Sequence, residues 1–188
     1  MAIRNQQKPE KKNELLSKVK KYGFYAIIVL LLIKLNKPLF FIVLFTVFAF
    51  IGKQVRSQFG LKMVVLDPLM FCALLLAQFI DIKSAIIYVA INTLIVDVLT
   101  NLVSIGSFLN FFLYTLSSVL SVMLFGSMDM LIYGCIGSLM YSVLYFFFRT
   151  TVLPDDPVAV TAKSITSFVF TFLYISFFGP IFKIIMMA

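Results

Sequence analysis

The sequence predicts an all-α fold, a multi-span transmembrane helix bundle with six to seven spans. Of its 188 residues, 62% are hydrophobic, and the mean hydropathy is +1.06, whereas soluble domains contain about 45–50% apolar residues. The apolar residues form continuous runs of about 20, which is the length that crosses roughly 30 Å of hydrocarbon as a helix. Because the runs do not alternate apolar and polar residues, they exclude a transmembrane barrel.

The basic residues are concentrated near the N-terminus. Residues 1–62 contain 12 basic and two acidic residues, a net charge of +10, and residues 63–188 contain four basic and six acidic residues, a net charge of −2. In a soluble protein a basic tail suggests nucleic acid. Beside membrane spans it indicates a cytoplasmic N-terminus and contact with anionic lipid, so no nucleic-acid partner is predicted.

The chain is predicted to consist of a tail and one membrane domain. Residues 1–22 form a basic, partly disordered tail with an amphipathic helix that begins near Asn13. Residues 23–188 form a single transmembrane domain. A cleaved signal peptide is disfavoured, because Lys34 follows the first apolar run and no small-residue cleavage site is present.

The start of the membrane domain allows two interpretations. The apolar runs at 24–35 and 38–51 are each short for a span, and the segment 34–38, which contains Lys34 and Lys37, separates them. We expect a helical hairpin whose second helix begins at Pro38 and continues toward Val55. The alternative is a kinked single span or a re-entrant hairpin, and it reduces the count from seven spans to six.

Five further spans follow a basic connector at residues 52–62. They are predicted at 64–80, 84–104, 108–125, 130–148 and 158–178. Asp67-Pro68 and Asp156-Pro157 each resemble a helix cap followed by the first helical residue. Ser84 is expected to cap the second of these spans, and Gly179-Pro180 is expected to end the last.

The distribution of charge favours seven spans over six. With a cytoplasmic N-terminus, seven spans place the connector at 52–62 and the loop after Arg149 inside as well. Arg149 is expected to close its span at the membrane interface. Six spans would place Lys53, Arg56 and Lys62 outside, against the positive-inside rule.

The predicted span 84–104 carries a carboxylate, Asp97, about 20 Å from its start at the helical rise. Thr93, Asn101 and Ser104 lie at i−4, i+4 and i+7, so they share one face with Asp97. A carboxylate that faces lipid at this depth is costly. This polar face is therefore expected to point toward other helices or water.

Two later spans carry matching polar faces. One consists of Asn110, Tyr114, Ser117 and Ser121, and the other of Lys163, Ser167, Thr171 and Tyr174. We expect a polar seam inside the bundle with Lys163 as counter-ion of Asp97. The residues predicted to bind a small solute there are Asp97, Asn101, Asn110, Tyr114, Ser117 and Lys163. The structural alternative is that Asp97 pairs with Lys163 or serine hydroxyls only to fix the helix register.

A row of small residues predicts close helix packing. Gly134, Ser138 and Ser142 recur every four residues, with Gly137 beside them.

Residues that bind metals or act in catalysis are scarce: the chain has no His and two Cys, Cys72 and Cys135, both in apolar runs. No cofactor, metal site or enzymatic activity is therefore predicted.

The stretch at residues 64–125 carries a family pattern. Asp67-Pro68 opens a span, the turn Asp81-Ile82-Lys83 follows, the next helix carries Asp97, and a small-residue turn at Gly106 precedes a polar-faced helix. This pattern resembles the substrate-binding S-components of energy-coupling-factor vitamin transporters and the related MreD-like cell-shape proteins.

The resemblance implies a six-helix core that holds a small solute from the outside and docks on a membrane partner and transporter ATPases. The chain departs from the family pattern at Ala90 and Asn92, where the family tends to have glycines. It also departs in the predicted seven spans, because S-components typically have six.

The sequence thus predicts an integral, multi-pass protein of the cell membrane that binds or carries a small solute without catalysis. Its expected partners are the lipid bilayer, anionic lipid at the basic tail, and other membrane protein subunits with a transporter ATPase module. The alternative is a structural or assembly subunit of a membrane protein complex, an MreD-like scaffold.

Overall fold

The computed structural model describes residues 36–59, 65, 68–95, 104–153 and 155–187. The chain divides into two units, Met1–Phe40 and Phe41–Ala188. Of the first unit the structure describes residues 36–40, where the side-chain oxygen of Asn36 accepts a hydrogen bond from the Leu39 backbone at 3.2 Å. The predicted tail and the first helix of the predicted hairpin lie outside the described residues.

Six α-helices account for most of the described chain. They are α1 (Lys37–Gln58), α2 (Leu69–Phe79), α3 (Ile82–Ala90), α4 (Ile105–Phe125), α5 (Met130–Thr151) and α6 (Pro157–Met187). A π-helical segment, Ile91–Ile95, continues α3. The described residues contain no strand, and this confirms the predicted all-α fold.

Four of these helices, α1, α4, α5 and α6, are long and apolar enough to cross a membrane. The described apolar helix α2 has 11 residues and spans about 17 Å, roughly half of the hydrocarbon thickness. The other short apolar stretch, Ile82–Ile95, consists of α3 and the π-helical segment. The predicted six to seven spans are therefore not confirmed, since the described ranges contain four helices of spanning length.

Helix α2 is the core of the second unit. Its residues from Leu69 to Ala77 are all buried, and it contacts α3, α4, α5 and α6. The ring of Phe71 lies 5.9 Å from that of Tyr174 and 6.1 Å from that of Phe182, both on α6. A helix that is apolar on every side requires such surroundings.

The long helices present large apolar side chains on their outer faces. Exposed examples on α4, α5 and α6 are Phe108, Met123, Val143, Phe147, Ile165, Phe177 and Ile184. Soluble monomers rarely expose apolar surface on this scale. Together with the helix lengths, it indicates a membrane protein.

Local capping moves three helix starts away from their predicted positions. Pro68 occupies the cap position of α2, so the helix begins one residue later than predicted for a cap at Asp67. Asp81 caps α3 instead of Ser84, because its carboxylate accepts the Ser84 N–H at 2.6 Å. Ser104 caps α4, which therefore begins before the predicted 108.

The capping of α4 is reciprocal. The Ser104 side chain accepts the Ser107 N–H, and the Ser107 side chain accepts the Ser104 N–H, both at 3.3 Å. Two donors at the helix start are thereby satisfied. The predicted continuous span 84–104 meets the π-helical segment after Ala90, and its residues 96–103 lie outside the described part of the chain.

One predicted start is confirmed, and another differs by one residue. Helix α1 begins at Lys37, next to the predicted Pro38. Helix α6 begins at Pro157, where the Asp156 carboxylate accepts the N–H groups of Val158 and Ala159 at 3.2 and 3.3 Å. An aspartate followed by proline is thus the actual helix start here.

The predicted end of the last span at Gly179-Pro180 is wrong. Helix α6 contains Pro180 and continues to Met187. Its final turns are held by packing, since the Phe182 ring lies 5.1 Å from that of Phe45 and Met186 is buried. Proline removes one backbone donor, a loss that apolar helices tolerate when neighbouring helices support the backbone.

Candidate functional site

A cavity of about 160 Å³ lies where α5 ends and where α4 and α6 begin. Its lining combines two cations, three tyrosines, an amide, a hydroxyl and one apolar side chain. These residues are Val65, Asn110, Tyr114, Tyr141, Tyr145, Arg149, Lys163 and Ser167. The cavity therefore presents charged and aromatic groups inside a bundle whose outer faces are apolar.

The tyrosines form one aromatic wall. Tyr141 and Tyr145 are one turn apart on α5, and Tyr114 comes from α4. The rings of Tyr114 and Tyr141 stack at 4.3 Å with an interplanar angle of 12°, and Tyr145 lies 5.8 Å from Tyr141. All three are buried, so their mutual packing restricts the movement of the rings.

Arg149 is held by three protein groups. One terminal nitrogen of its guanidinium pairs with Asp155 at 2.8 Å, and the other donates to the Asn110 side-chain oxygen at 3.0 Å. The guanidinium carbon lies 5.4 Å from the centre of the Tyr145 ring. The fork of two terminal nitrogens and the stacking surface are the features that distinguish arginine from lysine.

One donor of Arg149 is left over. Its Nε atom is buried and has no hydrogen-bond partner in the described part of the chain. A buried donor without a partner costs free energy, on the order of 1–3 kcal/mol.

Lys163 supplies the second cation. It is the seventh residue of α6 and is half-buried. No residue in the described ranges forms an ion pair with its ammonium group. Because Asp155 pairs with Arg149, the described lining of the cavity keeps one positive charge in excess.

The structure brings together three of the residues predicted to bind a solute. Asn110, Tyr114 and Lys163 line the same cavity, although they come from α4 and α6. Ser117 is buried further along α4 and is not part of this lining. Asp97 and Asn101 lie outside the described residues, and so does the predicted pairing of Asp97 with Lys163.

Sequence reasoning missed Arg149, Tyr141 and Tyr145 as site residues. Arg149 was expected to close its span at the interface, but its side chain is only 15% exposed and turns into the bundle. A signal was present, because these three residues recur at i, i+4 and i+8 on α5 and so share one helix face.

The small residues of α5 lie at its contacts with neighbouring helices. Gly134 faces Ile175 of α6, and Gly137 faces Leu74 of α2. Ser138 is buried, and the Ser142 carbonyl accepts a hydrogen bond from the Ser164 hydroxyl at 3.0 Å. This row brings α5 close to α2 and to α6, and α6 contributes Lys163 and Ser167 to the cavity lining.

Within the described residues, no group of three or more His, Cys, Asp or Glu side chains could hold a metal ion. Cys72 and Cys135 are free thiols. Compared with known proteins, the chain matches no protein-family model, no curated protein and no solved structure. The geometry of the cavity therefore carries the functional argument.

Proposed function

We propose that this chain is a multi-pass integral membrane protein that binds a small solute in the cavity between α4, α5 and α6. The supporting observation is the cavity lining, with two cations and three tyrosines inside helices whose outer faces are apolar. Charged side chains within apolar helices are costly and commonly mark ligand or ion sites. No group in this proposal performs catalysis.

The proposed topology has seven passes and a cytoplasmic N-terminus. It counts seven crossings: the first helix of the predicted hairpin, the four long helices, the short helix α2, and α3 with the residues beyond Ile95 that lie outside the described ranges. Arg149 and Lys163 then lie near the cytoplasmic surface, in agreement with the positive-inside rule.

The resemblance to S-components supports only part of this proposal. It favours a solute-binding helical core with membrane subunits and a transporter ATPase module as partners. It also implies entry from the outside, whereas the proposed topology opens the cavity at the cytoplasmic end. We therefore take a solute-binding core from the resemblance and leave the direction of entry to the charge distribution.

Thermal unfolding of the purified protein in detergent tests solute binding. The probes are a panel of small anionic, cationic and neutral solutes, with vitamins included. Because a ligand at about 100 times its Kd stabilises the folded state by about 2.7 kcal/mol, a bound solute should raise Tm by roughly 5–10 °C. The shift should increase with solute concentration.

A matched pair of variants tests whether the rise in Tm comes from binding in the cavity. Ser167→Leu introduces a larger side chain into the lining and should abolish the shift. Thr161→Leu introduces the same leucine side chain at an exposed position of α6 and should preserve the shift. If no solute shifts Tm and the protein instead co-purifies with other membrane subunits, the assembly-subunit alternative replaces this proposal.

A further inference from the structure

The charges around the cavity favour an anionic ligand. Arg149 is already paired with Asp155 at 2.8 Å, whereas no described residue pairs with the ammonium group of Lys163. An anion with oxygen acceptors would compensate the charge of Lys163 and accept hydrogen bonds from its ammonium group.

The aromatic wall favours a planar, apolar ligand body. Tyr114, Tyr141 and Tyr145 are 6%, 3% and 8% exposed, and their rings pack on one another. Aromatic pairs gain about 0.5–1.5 kcal/mol beyond the burial of their area. Because the wall is already ordered by its own packing, a ligand ring would bind with a smaller loss of side-chain entropy.

The volume of the cavity is suited to a ligand with one ring. It is about 160 Å³, close to the roughly 150 Å³ of an engineered protein cavity that holds benzene. A carboxylate attached to a single ring adds only three atoms and one negative charge.

We propose that the cavity binds a single-ring aromatic monocarboxylate of about the size of benzoate. The carboxylate pairs with Lys163, and the ring lies against the wall formed by Tyr114, Tyr141 and Tyr145. This inference rests on the proposed solute-binding function and names the class of solute. It excludes the neutral and cationic solutes that the broader proposal allows.

Equilibrium binding of radiolabelled benzoate to the detergent-purified wild-type protein tests the class of ligand. Benzoate should bind saturably. Benzyl alcohol, which lacks the charge, and benzylamine, which reverses it, should compete roughly tenfold or more weakly, a difference of about 1.4 kcal/mol or more. The two-ring anion 2-naphthoate should also compete more weakly, because a single ring matches the cavity volume of about 160 Å³ more closely.

Variants at two lysines test the counter-ion. Lys163→Met should weaken benzoate binding roughly tenfold or more, while Lys163→Arg keeps the positive charge and should retain most of the affinity. Lys83→Met removes an exposed lysine just after the Asp81 cap, away from the cavity lining, and should bind benzoate like wild type. The ligand series on the wild type needs no variant, so it decides the question even if Lys163→Met fails to fold.

The outcomes separate this inference from the broader proposal. Benzyl alcohol or benzylamine could bind more tightly than benzoate, with Ser167→Leu abolishing that binding. This result would overturn the proposal that the ligand is an anion, but it would support a solute site in the cavity. If Lys163→Met and Lys83→Met weaken benzoate binding equally, the loss of affinity is a general effect of charge, and the role of Lys163 as counter-ion is overturned. If none of the four probes binds saturably, the inference fails, and the wider solute panel decides whether the site fails with it.

Discussion

Arg149 illustrates how single residues are satisfied inside this bundle. Its guanidinium contacts a carboxylate, an amide oxygen and a tyrosine ring, and its hydrogen-bond partners come from α4 and from the loop before α6. An arginine near a helix end can also extend to the membrane surface. Asn110 and Asp155 provide partners on the protein side, and this explains why the side chain turns inward.

Asp129 gives a residue-scale prediction that depends on pH. The backbone N–H of Leu131 donates a hydrogen bond to its carboxylate at 3.3 Å, and the Lys183 ammonium lies 3.5 Å away. The Leu131 hydrogen bond, followed by the hydrogen bond and charge of Lys183, lowers the pKa of Asp129 below its usual 3.8. The folded state therefore favours the ionised carboxylate.

The sign of the pH effect follows from this lowered pKa. The stabilisation is complete above the ordinary pKa of 3.8 and is lost as the pH falls through the lowered folded value. Asp129→Asn keeps an oxygen for the cap but removes the charge. Thermal unfolding should therefore show a Tm difference between wild type and Asp129→Asn that is small at about pH 6 and is lost as the pH falls through the lowered folded pKa.

Two outcomes bear on the cause of this effect. In a Lys183→Met background, the Tm difference between Asp129 and Asp129→Asn should be smaller but still present, because the Leu131 hydrogen bond remains. A difference that grows as the pH falls would contradict the lowered pKa, since it would mean that protonation stabilises the folded carboxyl group.

Three of the predicted solute-binding residues are polar side chains that interrupt an apolar helix. Asn110, Tyr114 and Lys163 lie together because polar groups at helical spacing avoid lipid and face the interior. Tyr141 and Tyr145 share one face of α5 with Arg149, but tyrosine is also typical of the membrane interface, so this face alone does not indicate the interior. Their assignment to the cavity requires the position of α4, which no local pattern contains.

At the scale of elements, capping chemistry and packing decide where the helices begin and end. The starts at Lys37 and Pro157 follow from local sequence. The continuation of α6 through Pro180 depends on contacts with Phe45 and Phe71, which are distant in sequence. Local stop signals therefore fail where tertiary contacts supply the missing stabilisation.

The contact between α5 and its neighbours gives an element-scale prediction. A Cβ atom at Gly137 would lie 2.6 Å from Leu74 Cδ2 and 2.8 Å from Ser121 Oγ, and both of these residues are fully buried. Gly137→Ala should therefore destabilise the protein by about 1–3 kcal/mol through overpacking. Thermal unfolding in detergent should show a Tm lower by several degrees.

Gly179→Ala is the matched control on α6. Its added Cβ would approach Met130 Cγ at 3.5 Å, an ordinary van der Waals distance. Alanine also has a higher helix propensity than glycine, by about 1 kcal/mol, so Tm should stay unchanged or rise. Equal losses in both variants would show that packing between α5 and α2 is not the cause.

At the scale of the whole molecule, a short buried helix explains why the lengths of apolar runs do not determine the number of membrane spans. Composition and run length are sufficient to predict a helical membrane protein. They do not distinguish an apolar run that faces lipid from one that is surrounded by protein, and α2 belongs to the second kind. Within the described residues, only α1, α4, α5 and α6 have both the length and the apolar character of a complete crossing.

The proposed topology predicts that the two ends of α5 lie on opposite sides of the membrane. The 22 residues of α5 extend about 33 Å, enough to cross the hydrocarbon. Single cysteines at Ser127, before α5, and Asp156, after it, would both be exposed. They are introduced after replacement of Cys72 and Cys135 by alanine, because both native thiols are free.

A membrane-impermeant maleimide applied to intact cells should label Ser127→Cys at once and Asp156→Cys only after permeabilisation. Labelling of both in detergent serves as the control for thiol reactivity. Labelling of both from the same side would contradict a crossing by α5. If Asp156→Cys is labelled at once and Ser127→Cys only after permeabilisation, α5 crosses the membrane in the opposite orientation. Arg149, Lys163 and the cavity would then face the exterior, as the resemblance to S-components implies. The experiment thus decides from which side a solute reaches the tyrosine wall.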